Sequence, residues 1–389
     1  MGDEHLLEGL DRPAGAWPRM ASWHANERRL VAVSTHGHGT RSLDALAYGL
    51  EKLDGRELHL VVPRAAVAPL RARAAFLSSR VHVHATERAS IGVGEQPMSR
   101  TEATAFYRRL GPPEPSPDWD VSSWPTSLVE LVDWVESRRV ERVRTTRDYA
   151  WHYRGRQVLY VRPGGAGTYR LVAGVNYAAP RGDQPAPLKL DVSTASPLTA
   201  DRIEHVRSAV DEAIERRRNG RDNRHREHLL QAAIGTDPSL IGVSHLRREL
   251  PAWRPKVKPR SGRASIDFIA RDVDRVGHVV ETKIGPDAQL GFQALDYWAW
   301  AEAHRTELAG TIEADPGRHF ELDIALGLST KRVLHPAAAA TLQAFDASIK
   351  WRCHLVSAWD TLEQPGQLLV PDAEPLPTRV LPPGSSMPA

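Results

Sequence analysis

Glu281-Thr282-Lys283 closes the apolar run HVVETKIG (278–285) and is the one place in the chain where an acid stands two residues before a lysine. Lysine is scarce, seven of the 51 cationic residues, the remainder being arginine. Chance supplies about one such triplet at this composition, so the triplet alone decides nothing. Its plain reading is a surface ion pair at a strand end, worth under ~1 kcal/mol. The surroundings are more telling. Side chains alternate along a strand, so Val279, Glu281 and Lys283 share a face. Asp267 lies seven residues before Asp274 and Glu281 seven after it. A hairpin centred on Asp274 therefore sets the two carboxylates opposite each other, where like charges repel unless a cation offsets them. Gln293 and Tyr297 are four apart, on one face of any helix that carries them. Glu227 supplies a further carboxylate upstream, with Glu249 as a competitor closer to the hairpin.

These residue types suit a hard divalent cation, Mg²⁺ or Mn²⁺, which takes oxygen ligands and keeps several waters. Asp267, Glu281 and the backbone carbonyl of Thr282 would hold it, and it would acidify a water and polarise a phosphoryl oxygen. A neighbouring lysine could orient or deprotonate that water, or stabilise charge on the phosphate. Arginine serves poorly as a base because it essentially never deprotonates.

The elements that must position these residues follow from apolar patterning. A helix is expected over 222–234, a strand over 242–250, and strands ASIDFIAR and HVVETKI around the turn at Asp274. A helix over 287–308, a strand FELDIALGL, a helix over 336–348 and a strand WRCHLVSAW complete an α-β-β-β-α-β order with an appended α-β.

That order, with Asp267, Glu281-x-Lys283 and Gln293-x-x-x-Tyr297, resembles the PD-(D/E)xK nuclease superfamily in its RecB-like QxxxY form. The stretches REHLLQAAIGTDPSLIG, RRELPAWRP, ASIDFIARD, HVVETKIG and GFQALDYWAW are similar to the nuclease domain of NucS-type endonucleases, over roughly 224–358. The resemblance implies a restriction-endonuclease-like core and a Mg²⁺- or Mn²⁺-dependent deoxyribonuclease. It makes Glu227 the helical acid of the metal site, Asp267 the metal-binding aspartate and Glu281 the second ligand. Lys283 becomes the catalytic lysine, and Gln293 and Tyr297 the QxxxY pair. Ile266 stands where the motif has proline, and Thr282 where an aliphatic residue is usual, which bears on local packing.

The first half carries no such resemblance. Leu30–Ser34, Ser42–Leu53 and Leu58–Val62 read as strand, helix and strand, a βαβ unit that favours a parallel sheet. A helix over Ser127–Arg139 precedes a β-meander with turns at 154–156 and 164–167, and a polar helix runs from Thr199 to Arg218. The fold class expected is α/β: an N-terminal α/β domain containing a meander (1–215), a nuclease domain (216–364) and a loose proline-rich tail (365–389). The N-terminal domain would act as sensor or targeting unit. The glycine-bearing loop Ser34–Thr40, with His36 and His38, could hold a small ligand at a helix N-terminus, though a structural turn is the plainer reading. His82 and His84 share a strand face and read as structural.

Composition narrows the classes. The 389 residues are 41% hydrophobic and 25% charged, ordinary for a globular protein. The lone Cys353 excludes a disulfide framework and a cysteine-rich zinc site. No apolar run approaches the ~20 residues that cross a bilayer, and Met1–Gly9 is acidic without an apolar core, so no membrane partner and a cytoplasmic location are expected. Net charge is only +3, yet 216–263 holds thirteen Lys/Arg against four Asp/Glu, a stretch suited to a polyanion or simply to a solvated surface. DNA is the expected partner, with RNA left open; cutting two strands would favour a homodimer. Repair, restriction and defence against foreign DNA all fit such an enzyme. Two other readings stand beside it: a nucleic-acid-binding module without cleavage, and a nuclease gated by a ligand on the N-terminal domain.

Overall fold

The structure, a computed structural model, describes residues 21–34, 39–85, 97–114, 121–144, 148–175, 185–193, 195–219, 227–255, 262–327, 334–357, 359 and 379–381. They form an α/β protein built on three sheets.

The first sheet contains β1 (Ala21–Ala25), β2 (Arg29–Ser34), β3 (Glu57–Val62) and β4 (Val81–Ala85) in that order. β1 is antiparallel to β2, and β2, β3 and β4 are parallel. The crossovers are α1 (Gly39–Glu51) and α2 (Arg64–Ala74). Leu58, Leu60 and Val62 alternate along β3 and join Leu46 and Leu70 of the two helices in one apolar cluster. α3 (Arg100–Arg108) begins at a capping box in which Ser99 and Glu102 satisfy each other's backbone N–H groups.

A second unit follows. α4 (Thr126–Glu136) and α5 (Ala200–Arg218) flank a five-stranded antiparallel meander of β5 (Glu141–Arg144), β6 (Tyr149–Tyr153), β7 (Arg156–Pro163), β8 (Thr168–Ala173) and β9 (Leu188–Ser193). Trp151, Leu159, Leu171 and Val210 lie in its separate core. The β6–β7 turn needs glycine at Gly155: φ is 71°, and a Cβ there would stand 1.8 Å from the carbonyl oxygen of His228. That close approach seats the meander against α6 (Glu227–Thr236).

The third sheet has the order β10 (His245–Trp253), β11 (Arg263–Arg271), β12 (Gly277–Lys283), β13 (Glu321–Gly327), β14 (Trp351–Val356) and β15 (Arg379–Leu381). β10, β11 and β12 are antiparallel, β12, β13 and β14 parallel. With α6 before the hairpins and α7 (Leu290–Ala303) between β12 and β13, this is the expected α-β-β-β-α-β order.

α7 is buried on nearly every side, from Leu290 and Phe292 to Trp298 and Trp300, as an all-round apolar helix must be. Its apolar cluster takes in the first sheet's helices as well as the third sheet, so buried side chains from 30–107 and 250–355 share one core across the expected boundary at 215. α9 (Pro336–Gln343) packs on α1, and a backbone bridge joins Leu77 to Phe345.

Three expectations need correcting. The helix over 287–308 is two helices, because the chain turns at His304 and α8 (Arg305–Ile312) redirects to cover β10 and β11. The helix over 336–348 stops at Gln343, where Phe345 pairs with Leu77 instead. The tail is not loose throughout, since β15 lies in it, antiparallel to β14. α2 carries Pro69 and had not been expected. Among the described residues, no helix is long and apolar enough to cross a membrane.

Candidate active site

The β11–β12 register is the one the spacing about Asp274 implies: Phe268 pairs with Val280, Ile269 with Val279 and Ala270 with His278. The ladder ends one step short of Asp267 and Glu281. Here the alternation of β11 slips. Phe268 joins the cluster under α6, while Ile266, two residues away, joins the cluster under α7. On β10 the bracketing residues are Arg248 and Leu250, and between them Glu249 takes a left-handed φ of 55°. Such a backbone costs a non-glycine residue on the order of 1–3 kcal/mol. Asp267 leaves its regular strand position at this irregularity, and Oδ2 accepts the backbone N–H of Thr282 at 2.8 Å and its hydroxyl at 2.6 Å.

The structure gathers the remaining residues around the end of β12. Lys283 lies with Nζ 3.4 Å from Oε1 of Glu227 and 3.7 Å from Oε1 of Glu281. Gln293, one face of α7 turned to the sheet, donates through Nε2 to Oε1 of Glu281. Tyr297 is one turn further on, with the guanidinium of Arg254 5.3 Å from its ring centre. Glu281 is 1% exposed, and its Oε2 is buried without a hydrogen-bond partner among the described residues.

Electrostatics follow from this crowding. Burial pushes Glu281 well above the usual carboxylate range, and Asp267 pushes it further. Asp267 is raised by burial against the opposing bonds from Thr282, and Glu227 by burial against the pull of Lys283. Burial would lower Lys283, but Glu281, Glu227 and Asp267 outweigh it and hold the amine above its usual range. The free donors of the three acids are oxygens, the kind a hard cation takes, although the ligand atoms of Asp267, Glu281 and Glu227 do not converge within 4.8 Å of one another as they stand.

Three supporting residues escaped the sequence reading. Gln231 on α6 donates to the Thr282 hydroxyl at 3.1 Å. Arg248 donates to Gln231 at 2.8 Å and to Glu141 of the meander at 2.6 Å. Only the polarity of Gln231 within the apolar run from Leu229 to Ile234 hinted at this. Thr282, expected to bear on packing, instead orients the aspartate. Glu249 lies beside Asp267 in β10, raised by burial first and by Asp267 as well. His36 and His38 lie outside the described residues, as do 220–226 and 256–261 of the basic stretch. His82 and His84 sit on β4 beside His59 of β3.

No family model matches the sequence, and no curated protein matches it. Among solved structures the chain is weakly similar to the crystal structure of a repair endonuclease from Pyrococcus abyssi, at 11% identity. The match covers 59% of this chain and 95% of that one with a TM-score of 0.18, too low to carry an argument.

Proposed function

We propose that this chain is a Mg²⁺- or Mn²⁺-dependent nuclease that hydrolyses phosphodiester bonds in DNA. Asp267, Glu281, the Thr282 carbonyl and Glu227 would hold the cation. The observation that carries the reading is Oε2 of Glu281, a carboxylate oxygen buried without a partner among two further acids and one ammonium. A purely structural network would pair each buried acid, because an uncompensated buried charge costs several kcal/mol. Three acids draw on Lys283 and on Arg254 and Arg248, which are already bonded to Asp296 and Glu141, so an excess remains that a divalent cation would offset.

Bound there, the cation would supply Lewis acidity and an acidified water. The chain's own residues do the rest. Thr282 holds Asp267 through two donors, and Gln293 holds Glu281. Lys283, with Nζ 3.4 Å from Glu227 and 3.7 Å from Glu281, would stabilise negative charge building on the phosphate oxygens, or orient or deprotonate the attacking water. The excess of arginine and lysine over 216–263 would favour a polyanion such as the DNA backbone, although Arg216, Arg217 and Arg248 within it are buried.

The test is cleavage of supercoiled plasmid, linear and single-stranded DNA, and RNA, with Mg²⁺ or Mn²⁺. Wild type should cut, and Asp267→Ala and Lys283→Ala should lose on the order of 10²-fold or more. Equal cleavage by all three would overturn the residue assignment. Salt-sensitive binding without product would favour a recognition module that does not cut. Comparing modified, mismatched and plain duplexes would then separate repair from restriction or defence.

A further inference from the structure

The first sheet gathers a different donor set. β3 and β4 run parallel with His59 level with His82, and Glu57 is two residues before His59 on the same strand face. This face is opposite Leu58, Leu60, Val81 and Val83, which pack with α1 and α2. Oε2 of Glu57 is 3.8 Å from Nε2 of His59 and 3.8 Å from Nε2 of His82, and the three ligand atoms lie within 4.8 Å of one another. Ligands about 2.1 Å from a tetrahedral ion stand roughly 3.4 Å apart, so closure asks for a few tenths of an ångström at each carboxylate–ring distance and for up to about 1.4 Å between the rings.

His59 is 8% exposed, and its Nε2 is buried without a hydrogen-bond partner. Its Nδ1 is 3.2 Å from Nε2 of His84. With the proton on Nδ1, His59 donates to His84 and turns the Nε2 lone pair toward Glu57 and His82. That is how an outer partner fixes a metal-binding imidazole. Burial and the neighbouring imidazoles hold His59 down to about 4, in the neutral form that metals take. Arg80 occupies Oε1 of Glu57 at 2.9 Å and leaves Oε2 to the rings. The rings of His59 and His82 stack at 15°, so convergence on one ion takes a tilt of His82, the more exposed of the two.

We infer that Glu57, His59 and His82 form a second metal site, for a transition-metal cation of the Zn²⁺ class with a fourth position left to solvent. Two imidazoles and one carboxylate select such an ion over Mg²⁺, whereas the oxygen-only site around Glu281 does the reverse. Bound there, the ion would tie β3 to β4.

The test uses the full chain in an Asp267→Ala background, so that the carboxylate site does not contribute. After chelation, the protein is dialysed against micromolar Zn²⁺ in millimolar Mg²⁺, and bound metal is measured by mass spectrometry. About one Zn²⁺ per chain is expected, lost on adding His82→Ala or Glu57→Gln, both at partly exposed positions. Co²⁺ should give the visible bands of a four-coordinate site in the background protein and not in those variants. Melting curves without metal check that the variants fold. The inference is overturned if the background protein retains no Zn²⁺, or if folded His82→Ala and Glu57→Gln retain it equally with an unchanged Co²⁺ spectrum.

Discussion

Thr282 gives both its backbone N–H and its hydroxyl to one oxygen, Oδ2 of Asp267. The contact is the last link in a chain of polar groups from the meander to the site: Glu141, Arg248, Gln231, Thr282 and Asp267, each joined to the next at 3.1 Å or less. An aspartate held this way is oriented before any cation arrives. Such preorganisation is what a metal site requires of the residues behind its ligands.

Thr282→Val keeps the volume and the N–H but removes the hydroxyl. It should weaken Mn²⁺ binding about tenfold or more, because Asp267 loses one of its two donors. Stability should fall by about 1–3 kcal/mol, since Gln231 is left buried without its acceptor. Calorimetric metal titration and urea unfolding would measure the two effects, with Thr282→Ser restoring most of both. Metal affinity unchanged in Thr282→Val would show that the hydroxyl does not position Asp267.

Lys283 as an ammonium makes a different demand from Lys283 as a base. A guanidinium can replace the charge but not the proton transfer. Lys283→Arg should therefore keep activity within roughly tenfold of wild type, whereas Lys283→Met should lose on the order of 10²–10³-fold in kcat. Single-turnover cleavage at saturating metal would separate the variants. Equal, complete loss in both would return the lysine to the role of base.

The residues proposed to carry this chemistry could be singled out in sequence for physical reasons. The strands around Asp274 are continuous apolar runs with one turn between them, so their register could be read by symmetry, and Phe268 does face Val280. What could not be read is whatever depends on distant packing. Arg248 looks like one more arginine until Glu141, more than a hundred residues earlier, comes against it. Asp296 looks like a solvent-facing acid on a helix, yet it is fully buried because α2 and α3 close over it. The slip in alternation at Asp267 lies across from the left-handed backbone of Glu249, and nothing in local propensity announces a positive φ there. The turn at His304 follows likewise from the need to cover β10 and β11.

His152 lies on β6 and is buried, which holds it well below the usual imidazole range; Arg248, His228 and Arg156 add to the effect. The unfolded chain takes up a proton near pH 6.5 that the folded protein resists. Stability from this group is therefore present above that range and is lost as pH falls through it. His59, held down to about 4, contributes with the same sign. In urea unfolding between about pH 7.5 and pH 5, His152→Gln should lose less stability than wild type as pH falls, the two slopes differing by up to ~1.4 kcal/mol per pH unit. A slope unchanged in the variant would mean that His152 protonates freely in the folded state.

Asp296 ties the first sheet's helices to the helix that carries Gln293 and Tyr297. Its carboxylate accepts Nε and Nη2 of Arg73 on α2, both at 2.8 Å, and the Tyr107 hydroxyl of α3 at 2.7 Å. Arg254, whose guanidinium lies over Tyr297, reaches it at 3.2 Å. Removing the charge strands two guanidinium groups, one of them almost wholly buried. Asp296→Asn should therefore cost about 3–5 kcal/mol. Adding Arg73→Met should recover part of that loss, because the buried cation leaves with its partner. If helices α2 and α3 are held to α7 by this node, limited proteolysis of Asp296→Asn should release an N-terminal fragment well before wild type does. Additive losses in the double variant, with an unchanged digestion pattern, would show that apolar packing alone joins the first sheet to the site.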